Sequence, residues 1–233
     1  AAHALQDMLT VKEQTAAMRL GSMVHTLVLE PSEWNLRYAV GPDAARNTKV
    51  WKEWAEAQPE GRELIKPDEA QQARDMAAFV DRYPTVARLV RGDGPVEASC
   101  LWTWRDAISG QEIALRGRPD KLRPDLHLLI DLKTTTDLSD RAIQRKIADM
   151  GYHLQMQLYL EGLEAVGEDY RNAVIVFIES AAPYEARAVM LGDSWMEAAR
   201  AELSVLKARH AASMADNDWP GYRDMIDDSE APA

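Results

Sequence analysis

The sequence predicts an α/β protein with a central mixed sheet flanked by helices, and three observations lead to that fold class. Early in the chain, Leu20, Val24 and Val28 form an apolar stripe at helical spacing. From about residue 96 the apolar residues recur at strand-like spacing, and a strand, a helix and a strand then follow in order, which favours a parallel pair. With 233 residues, 46% of them hydrophobic, the chain can bury one sizeable core.

The first part of the chain is predicted to be mainly helical. The helix that carries the apolar stripe should end at Pro31, which marks a helix boundary. Gly21 and His25 are four residues apart and therefore share one flank of this helix, where Gly21 leaves room for a strand, a metal or a phosphate. A second helix should begin near Pro67. No element is assigned to 41–61.

The second part is predicted to hold the sheet. One strand is expected at 96–104, a turn at 106–110 and an antiparallel return at 111–118. The later elements are a strand around Asp131, a helix at 152–166, strands at 173–179 and 184–191, and a closing helix at 194–214. Cys100 is expected to be a small buried residue on a strand. As the single cysteine, it excludes an internal disulfide and a four-cysteine metal site.

We expect one domain over 1–233, with a mainly helical part at 1–95, a catalytic core at 96–215 and a tail at 216–233. The tail carries four acids within 224–230 and is expected to fray. No apolar run approaches the ~20 residues of a membrane span, and no signal sequence opens the chain. The expectation is therefore a soluble, cytoplasmic protein with no membrane partner.

The formal net charge of −11 argues against a polyanionic partner only if the charge is spread evenly. A small basic groove can bind nucleic acid within an acidic protein. The basic residues near the motif described next are Arg116, Arg118, Lys121, Arg123 and Lys133.

Asp120, Asp131 and Lys133 are the residues that point to chemistry. Side chains alternate along a strand, so Asp131 and Lys133 should share a face while Ile130 and Leu132 enter the core. A turn at 123–125 would fold Asp120 back beside Asp131. Two adjacent carboxylates suit a hard divalent cation, and a nearby lysine can orient a water, as metal-dependent phosphodiester hydrolysis requires. The alternative is a solvated strand face with no function, although the apolar residues beside Asp131 argue against it.

Four motifs in a fixed order give the chain a family resemblance. They are Gly21-Ser22-Met23-Val24-His25, Gly117-Arg118-Pro119-Asp120, Asp131-Leu132-Lys133-Thr134-Thr135 and Gln155-Met156-Gln157-Leu158-Tyr159. Their order resembles that of the PD-(D/E)XK nuclease superfamily and, within it, of the RecE-like branch, the C-terminal nuclease of exonuclease VIII and its phage relatives. The resemblance extends to 27–31 and to 219–222, and it implies a restriction-endonuclease-like core.

The resemblance implies a metal site. Asp120 and Asp131 match the family's metal-binding acids, and Lys133 matches the motif lysine. His25 matches a further metal ligand of the RecB-like and RecE-like branches, and the main-chain carbonyl of Leu132 would complete the metal shell. By residue type alone, His25 would more often be a helix-flank histidine than a metal ligand. The implied cofactor is Mg²⁺, with Mn²⁺ as a substitute.

Residues for DNA are implied in the same way. Gln155 and Tyr159 match a Q-x-x-x-Y element that would bind or orient DNA, and the alternative is an interior hydrogen-bonded pair. Arg116 and Arg118 are expected to share a side of the strand with Asp120, and their guanidinium groups suit phosphate, although they could be surface charges. Glu97 could be a second-metal or supporting acid, or a solvated strand end.

The function implied by the resemblance is a Mg²⁺-dependent 5′-to-3′ exonuclease on double-stranded DNA ends. It would produce 3′ single-stranded tails for a separate annealing protein of the RecT type, act as a ring-shaped homo-oligomer and work in a bacterial host, encoded by a phage or prophage. Two alternatives stay open. One is another nuclease, such as a structure-specific endonuclease or a Cas4-like enzyme without its cluster, and the other is a silent DNA-binding or phage assembly module.

Overall fold

The computed structural model of the protein describes residues 14–219. Within this range the helices are α1 (Ala16–Leu29), α2 (Trp34–Arg37), α3 (Lys49–Glu56), α4 (Pro67–Val80), α5 (Pro84–Arg91), α6 (Asp140–Asp149), α7 (Tyr152–Ala165) and α8 (Asp193–Asp216). The strands are β1 (Tyr38–Val40), β2 (Glu63–Ile65), β3 (Cys100–Arg105), β4 (Glu112–Gly117), β5 (Lys121–Arg123), β6 (Leu128–Thr135), β7 (Asn172–Glu179) and β8 (Ala186–Met190). The acidic segment 224–230 and the motif residues 220–222 lie outside the described residues.

The central sheet has the strand order β5-β6-β7-β8. β6 and β7 are parallel, whereas β5 and β8 run antiparallel to their neighbours, so the sheet is mixed. The predicted parallel pair is therefore confirmed, but its crossover contains two helices, α6 and α7, instead of one. α6 escapes prediction because Ile143 and Ile147 are its only buried residues in an otherwise polar sequence.

Helices cover both faces of this sheet. Ile130 and Leu132 of β6 pack in one core cluster with residues of α1, α4 and α5. Leu129 packs in a second cluster with residues of α6 and α7. The predicted alternation along β6 is therefore confirmed, and Asp131 shares its face with Leu129. That face is covered, since the Asp131 side chain is 1% exposed.

The two predicted N-terminal helices are confirmed, and both have clear end signals. At the start of α1 the Thr15 hydroxyl accepts a hydrogen bond from the Met18 N–H, and the helix ends at Leu29, two residues before Pro31. α4 begins at Pro67, and the Glu69 carboxylate accepts from the N–H of the residue before the helix. The unassigned segment 41–61 contains α3, while β1 and β2 form a small parallel sheet.

The predicted strand at 96–104 is wrong at its beginning. β3 starts at Cys100, and Val96 forms only an isolated bridge to Lys121. Glu97 has a φ of 51°, in the left-handed region that non-glycine residues rarely occupy, and it interrupts the extended chain. Cys100 is buried on β3 as predicted, and among residues 14–219 no helix is both long and apolar enough to cross a membrane.

β3 and β4 form a separate antiparallel ribbon that packs on α7. Two glycines allow this close approach. A Cβ atom at Gly162 of α7 would lie 2.5 Å from the ring of Trp102, and one at Gly117 of β4 would lie 2.8 Å from the ring of Tyr159. The ribbon is therefore fitted against the helix that carries Gln155 and Tyr159.

Candidate active site

The hairpin of β5 and β6 brings Asp120 beside Asp131. Lys121 lies opposite Ile130 in the antiparallel pair, so the residue before β5 meets the residue after Ile130. The Leu132 N–H donates to Asp120 Oδ2 at 2.7 Å and fixes this carboxylate against β6. The predicted return of Asp120 onto the Asp131 strand is therefore observed.

Asp131 and Lys133 form an ion pair on one face of β6. Lys133 Nζ lies 2.6 Å from Asp131 Oδ2, although this oxygen has no donor in hydrogen-bonding geometry among the described residues. Burial, reinforced by the negative charge of Asp120, raises the pKa of Asp131 to about 7 against the opposing effect of Lys133. Burial lowers the pKa of Lys133, but the charge of Asp131 outweighs it and raises that pKa overall. Lys133 is therefore a charged group held beside a carboxylate whose ionised form is destabilised by burial.

His25 connects α1 to two carboxylates. Its Nε2 atom lies 2.6 Å from Asp120 Oδ2, and its Nδ1 atom lies 3.2 Å from Glu97 Oε1. Burial opposes protonation of His25, but hydrogen bonds to Asp120 and Glu97 outweigh it and raise the pKa to about 10. Beside Gly21 lies strand β6, since a Cβ atom there would be 3.6 Å from Thr134 Oγ1, and Gly21 also lines the cavity described below.

The same residues fit a divalent metal. Donor atoms of His25, Glu97 and Asp120 all lie within 4.8 Å of one another. An imidazole with carboxylates suits hard-to-borderline cations, and a cation here would also offset the repulsion between the Asp120 and Asp131 carboxylates. Glu97 thus lies with His25 and Asp120 in the candidate metal site and not at a solvated strand end, while Asp131 lies next to this three-residue cluster. The carbonyl of Leu132 as a ligand stays a prediction.

Gln155 and Tyr159 contact both each other and the acids. Gln155 Nε2 donates to the Tyr159 hydroxyl at 2.8 Å and lies 3.5 Å from Asp131 Oδ1. Burial raises the pKa of Tyr159, so its hydroxyl stays protonated near neutral pH. The DNA-orienting role and the interior hydrogen-bonded pair are therefore compatible alternatives, because the pair is interior and also contacts the candidate metal site.

The arginines predicted to share a face with the acids are separated. Arg118 lines the site and its Nε atom lies 2.8 Å from Glu97 Oε2. Arg116 is exposed on β4 and does not line the same cavity, so the prediction of one common face is wrong for it. The reason is that the chain leaves its extended course between β4 and β5, and the two-residue alternation ends there. Lys121 and Arg123 are buried elsewhere, where Lys121 Nζ donates to the Gly94 carbonyl.

The site opens into a cavity of about 840 Å³. Its lining includes four residues that the sequence did not single out: Arg37, Lys146, Met150 and Tyr152. Tyr152 could have been noticed, since it lies three residues before Gln155 in the predicted helix. In the structure its ring centroid lies 4.9 Å from Lys133 Nζ. Lys146 belongs to the helix that was not predicted, and Met150 follows directly after it, so no motif drew attention to them.

Comparisons with known proteins give this geometry a context. A family model described as a PDDEXK-like domain of unknown function, DUF3799, matches residues 1–230. The crystal structure of a candidate exonuclease from Eubacterium rectale covers 96% of this chain and 79% of its own, with a TM-score of 0.62 and 14% identity, which indicates a shared fold. A phage-related exonuclease from Haemophilus somnus covers 78% of this chain and 98% of its own, with a TM-score of 0.36 and 15% identity, too low for any inference. No curated protein matches the chain.

Proposed function

The chain belongs to the PDDEXK-like family DUF3799, and from this premise we propose that it is a metal-dependent 5′-to-3′ exonuclease acting on double-stranded DNA ends. The membership confirms the superfamily that the four motifs predicted. The observation that carries the proposal is the meeting of Asp120, Asp131, Lys133 and His25 on one cavity. These are the residue types that phosphodiester hydrolysis with a divalent cation requires.

His25, Asp120 and Asp131 would hold the cation, with the Leu132 carbonyl and Glu97 as further ligands. When bound, Mg²⁺ or Mn²⁺ supplies a Lewis acid for the phosphate and lowers the pKa of a bound water. The contribution of the protein is to keep these ligands in place. The Leu132 N–H holds Asp120 at 2.7 Å, and Gln155 reaches Asp131 from α7.

Lys133 is the residue proposed to act on the reacting groups. Its ammonium is charged, partly buried and directed into the cavity, so it can orient the attacking water and balance the charge that develops on the phosphate. A charge that the fold already holds in place costs little reorganisation during the reaction. Arg118 lies on the same cavity and is proposed to contact the DNA backbone.

The biological setting is part of the proposal. We place the protein in a bacterial cell, encoded by a phage or prophage, where the 3′ tails would pass to an annealing protein of the RecT type. A ring-shaped homo-oligomer around the duplex would retain DNA despite a net charge of −11. The family match over 1–230 supports the expectation that 1–233 acts as one nuclease domain.

The test is digestion of a linear duplex labelled separately at its 5′ and 3′ ends, with Mg²⁺ and with EDTA. We expect the 5′ label to appear early as a short product and the 3′ label to stay on a long single strand. Early release of the 3′ label would show digestion in the 3′-to-5′ direction and contradict the proposed polarity. Undiminished digestion in EDTA would contradict metal dependence.

A further inference from the structure

Lys146 is a basic side chain of the cavity without an acidic partner. It lies in the last turn of α6, lines the cavity, and donates from Nζ to the main-chain carbonyl of Thr134 at 2.8 Å. The ammonium is thus held one residue beyond Lys133 on strand β6. Among residues 14–219 no carboxylate forms an ion pair with it, and burial lowers its pKa with nothing to offset the effect.

The other basic side chains of the cavity each have an acidic partner. His25 and Lys133 are paired with Asp120 and Asp131 as described above. Arg118 is paired with Glu97 at 2.8 Å, and Arg37 lies 2.8 Å from Glu30. The carboxylates that line the cavity are therefore matched with cations, and Lys146 is the one basic group of its described lining that has no acidic partner.

Met150 stands beside Lys146 on the same rim. It follows one helical turn later, immediately after the end of α6, and also lines the cavity. The residue is 61% exposed, so its apolar side chain is accessible to a ligand in the cavity. A cation and an apolar group side by side match a nucleotide, which offers a phosphate and an apolar sugar or base surface.

We infer that Lys146 and Met150 form a strand-binding rim, in which Lys146 contacts a DNA phosphate next to the one being cleaved and Met150 packs on the adjoining nucleotide. The inference rests on the proposed nuclease function and adds two DNA-positioning residues to it. Neither residue takes part in bond breaking. Their substitution should therefore weaken DNA binding in the absence of metal as well as cleavage in its presence.

The charge of Lys146 can be tested through the salt dependence of binding. Affinity for a fluorescent duplex is measured by anisotropy in EDTA at several salt concentrations, for the natural protein and for Lys146→Gln, whose amide can still donate to Thr134. One lost phosphate contact should reduce the slope of log affinity against log salt by about 0.7–0.9 and weaken binding roughly five- to eight-fold at 0.1 M salt. Lys146→Arg should restore both, and Lys52→Gln, an exposed lysine outside the cavity, should change neither.

Met150 gives a complementary signature. Met150→Ala should weaken binding several-fold with the slope unchanged, because an apolar contact releases no counterions, and Met150→Leu should bind like the natural protein. Two results would overturn the inference. One is a folded Lys146→Gln variant whose salt slope equals that of the natural protein, and the other is a Lys146→Arg variant that loses as much DNA affinity as Lys146→Gln. If the natural protein cuts and binds DNA while these variants behave normally, only the rim is wrong. If the natural protein neither binds nor cuts DNA, the proposed function itself fails.

Discussion

Replacing Asp131 by asparagine should remove a pH-dependent source of instability from the protein in EDTA. The carboxyl group is 1% exposed, and burial together with the charge of Asp120 raises its pKa from 3.8 to about 7. Between these two values the folded protein binds more protons at this site than the unfolded chain does. Stability must therefore fall as the pH rises through this window, and the loss is complete above about pH 7.

The size of the effect follows from the shift. From pH 5 to pH 7.5 the difference in proton binding amounts to nearly two pKa units, or ~2–3 kcal/mol at about 1.4 kcal/mol per unit. For a chain of this length that corresponds to ~5–10 °C in Tm. The asparagine side chain does not titrate, so the Tm of the variant relative to that of the natural protein should rise by this amount from pH 5 to pH 7.5. Loss of the Lys133 ion pair lowers the absolute stability of the variant, so the pH trend is the quantity to compare.

The assay is thermal unfolding of both proteins in EDTA at half-unit steps from pH 5 to pH 7.5. Asp43→Asn, at an exposed position away from the site, serves as the control and should follow the natural protein at every pH. A difference in Tm between Asp131→Asn and the natural protein that stays constant over this range would refute the reasoning. It would mean that burial does not destabilise the ionised form of Asp131.

Three further predictions concern the site and the ribbon. Lys133→Ala should stay folded and bind DNA in EDTA, yet lose at least ~100-fold in single-turnover cleavage, because a charge beside the reacting phosphate is removed; a rate close to that of the natural protein would exclude the assigned role. Burial lowers the pKa of His25, but its two carboxylate partners outweigh this and raise the pKa to about 10, so Mn²⁺ binding near pH 7 should release close to one proton from it. Calorimetry in two buffers of different ionisation enthalpy measures this release, and His25→Ala should bind Mn²⁺ more weakly and lack the His25 proton. Gly162→Ala should cost ~1–3 kcal/mol in urea unfolding because its Cβ would lie 2.5 Å from the Trp102 ring, whereas Gly192→Ala meets nothing within 4 Å; equal effects would contradict the described packing.

The core of the site was predictable because it depends on local geometry. A two-residue alternation fixes Asp131 and Lys133 on one face of β6, and a short turn returns Asp120 to its neighbour. Both relations span few residues and leave little conformational choice. The N-terminal helix and its boundary at Pro31 were predictable for the same reason.

What the sequence did not reveal depends on contacts between distant segments. Glu97 reaches His25 only because its backbone turns out of the extended conformation, which no pattern in 96–104 indicates. Arg116 leaves the site because the strand is broken between β4 and β5. Lys146 contacts Thr134, which lies 12 residues earlier on β6. The helix that carries Lys146 has only two buried residues, so the sequence offers little indication of how α6 packs and of where this lysine lies.

The most direct test of the central claim uses two DNA substrates of the same sequence in one reaction, a linear duplex and a covalently closed circle. With Mg²⁺ the protein should degrade the linear duplex and spare the circle, because an enzyme that encloses DNA must begin at an end. EDTA or the Lys133→Ala substitution should leave both substrates intact. Rapid nicking of the circle would contradict the exonuclease account, and an intact linear duplex in Mg²⁺ would contradict the nuclease account as a whole.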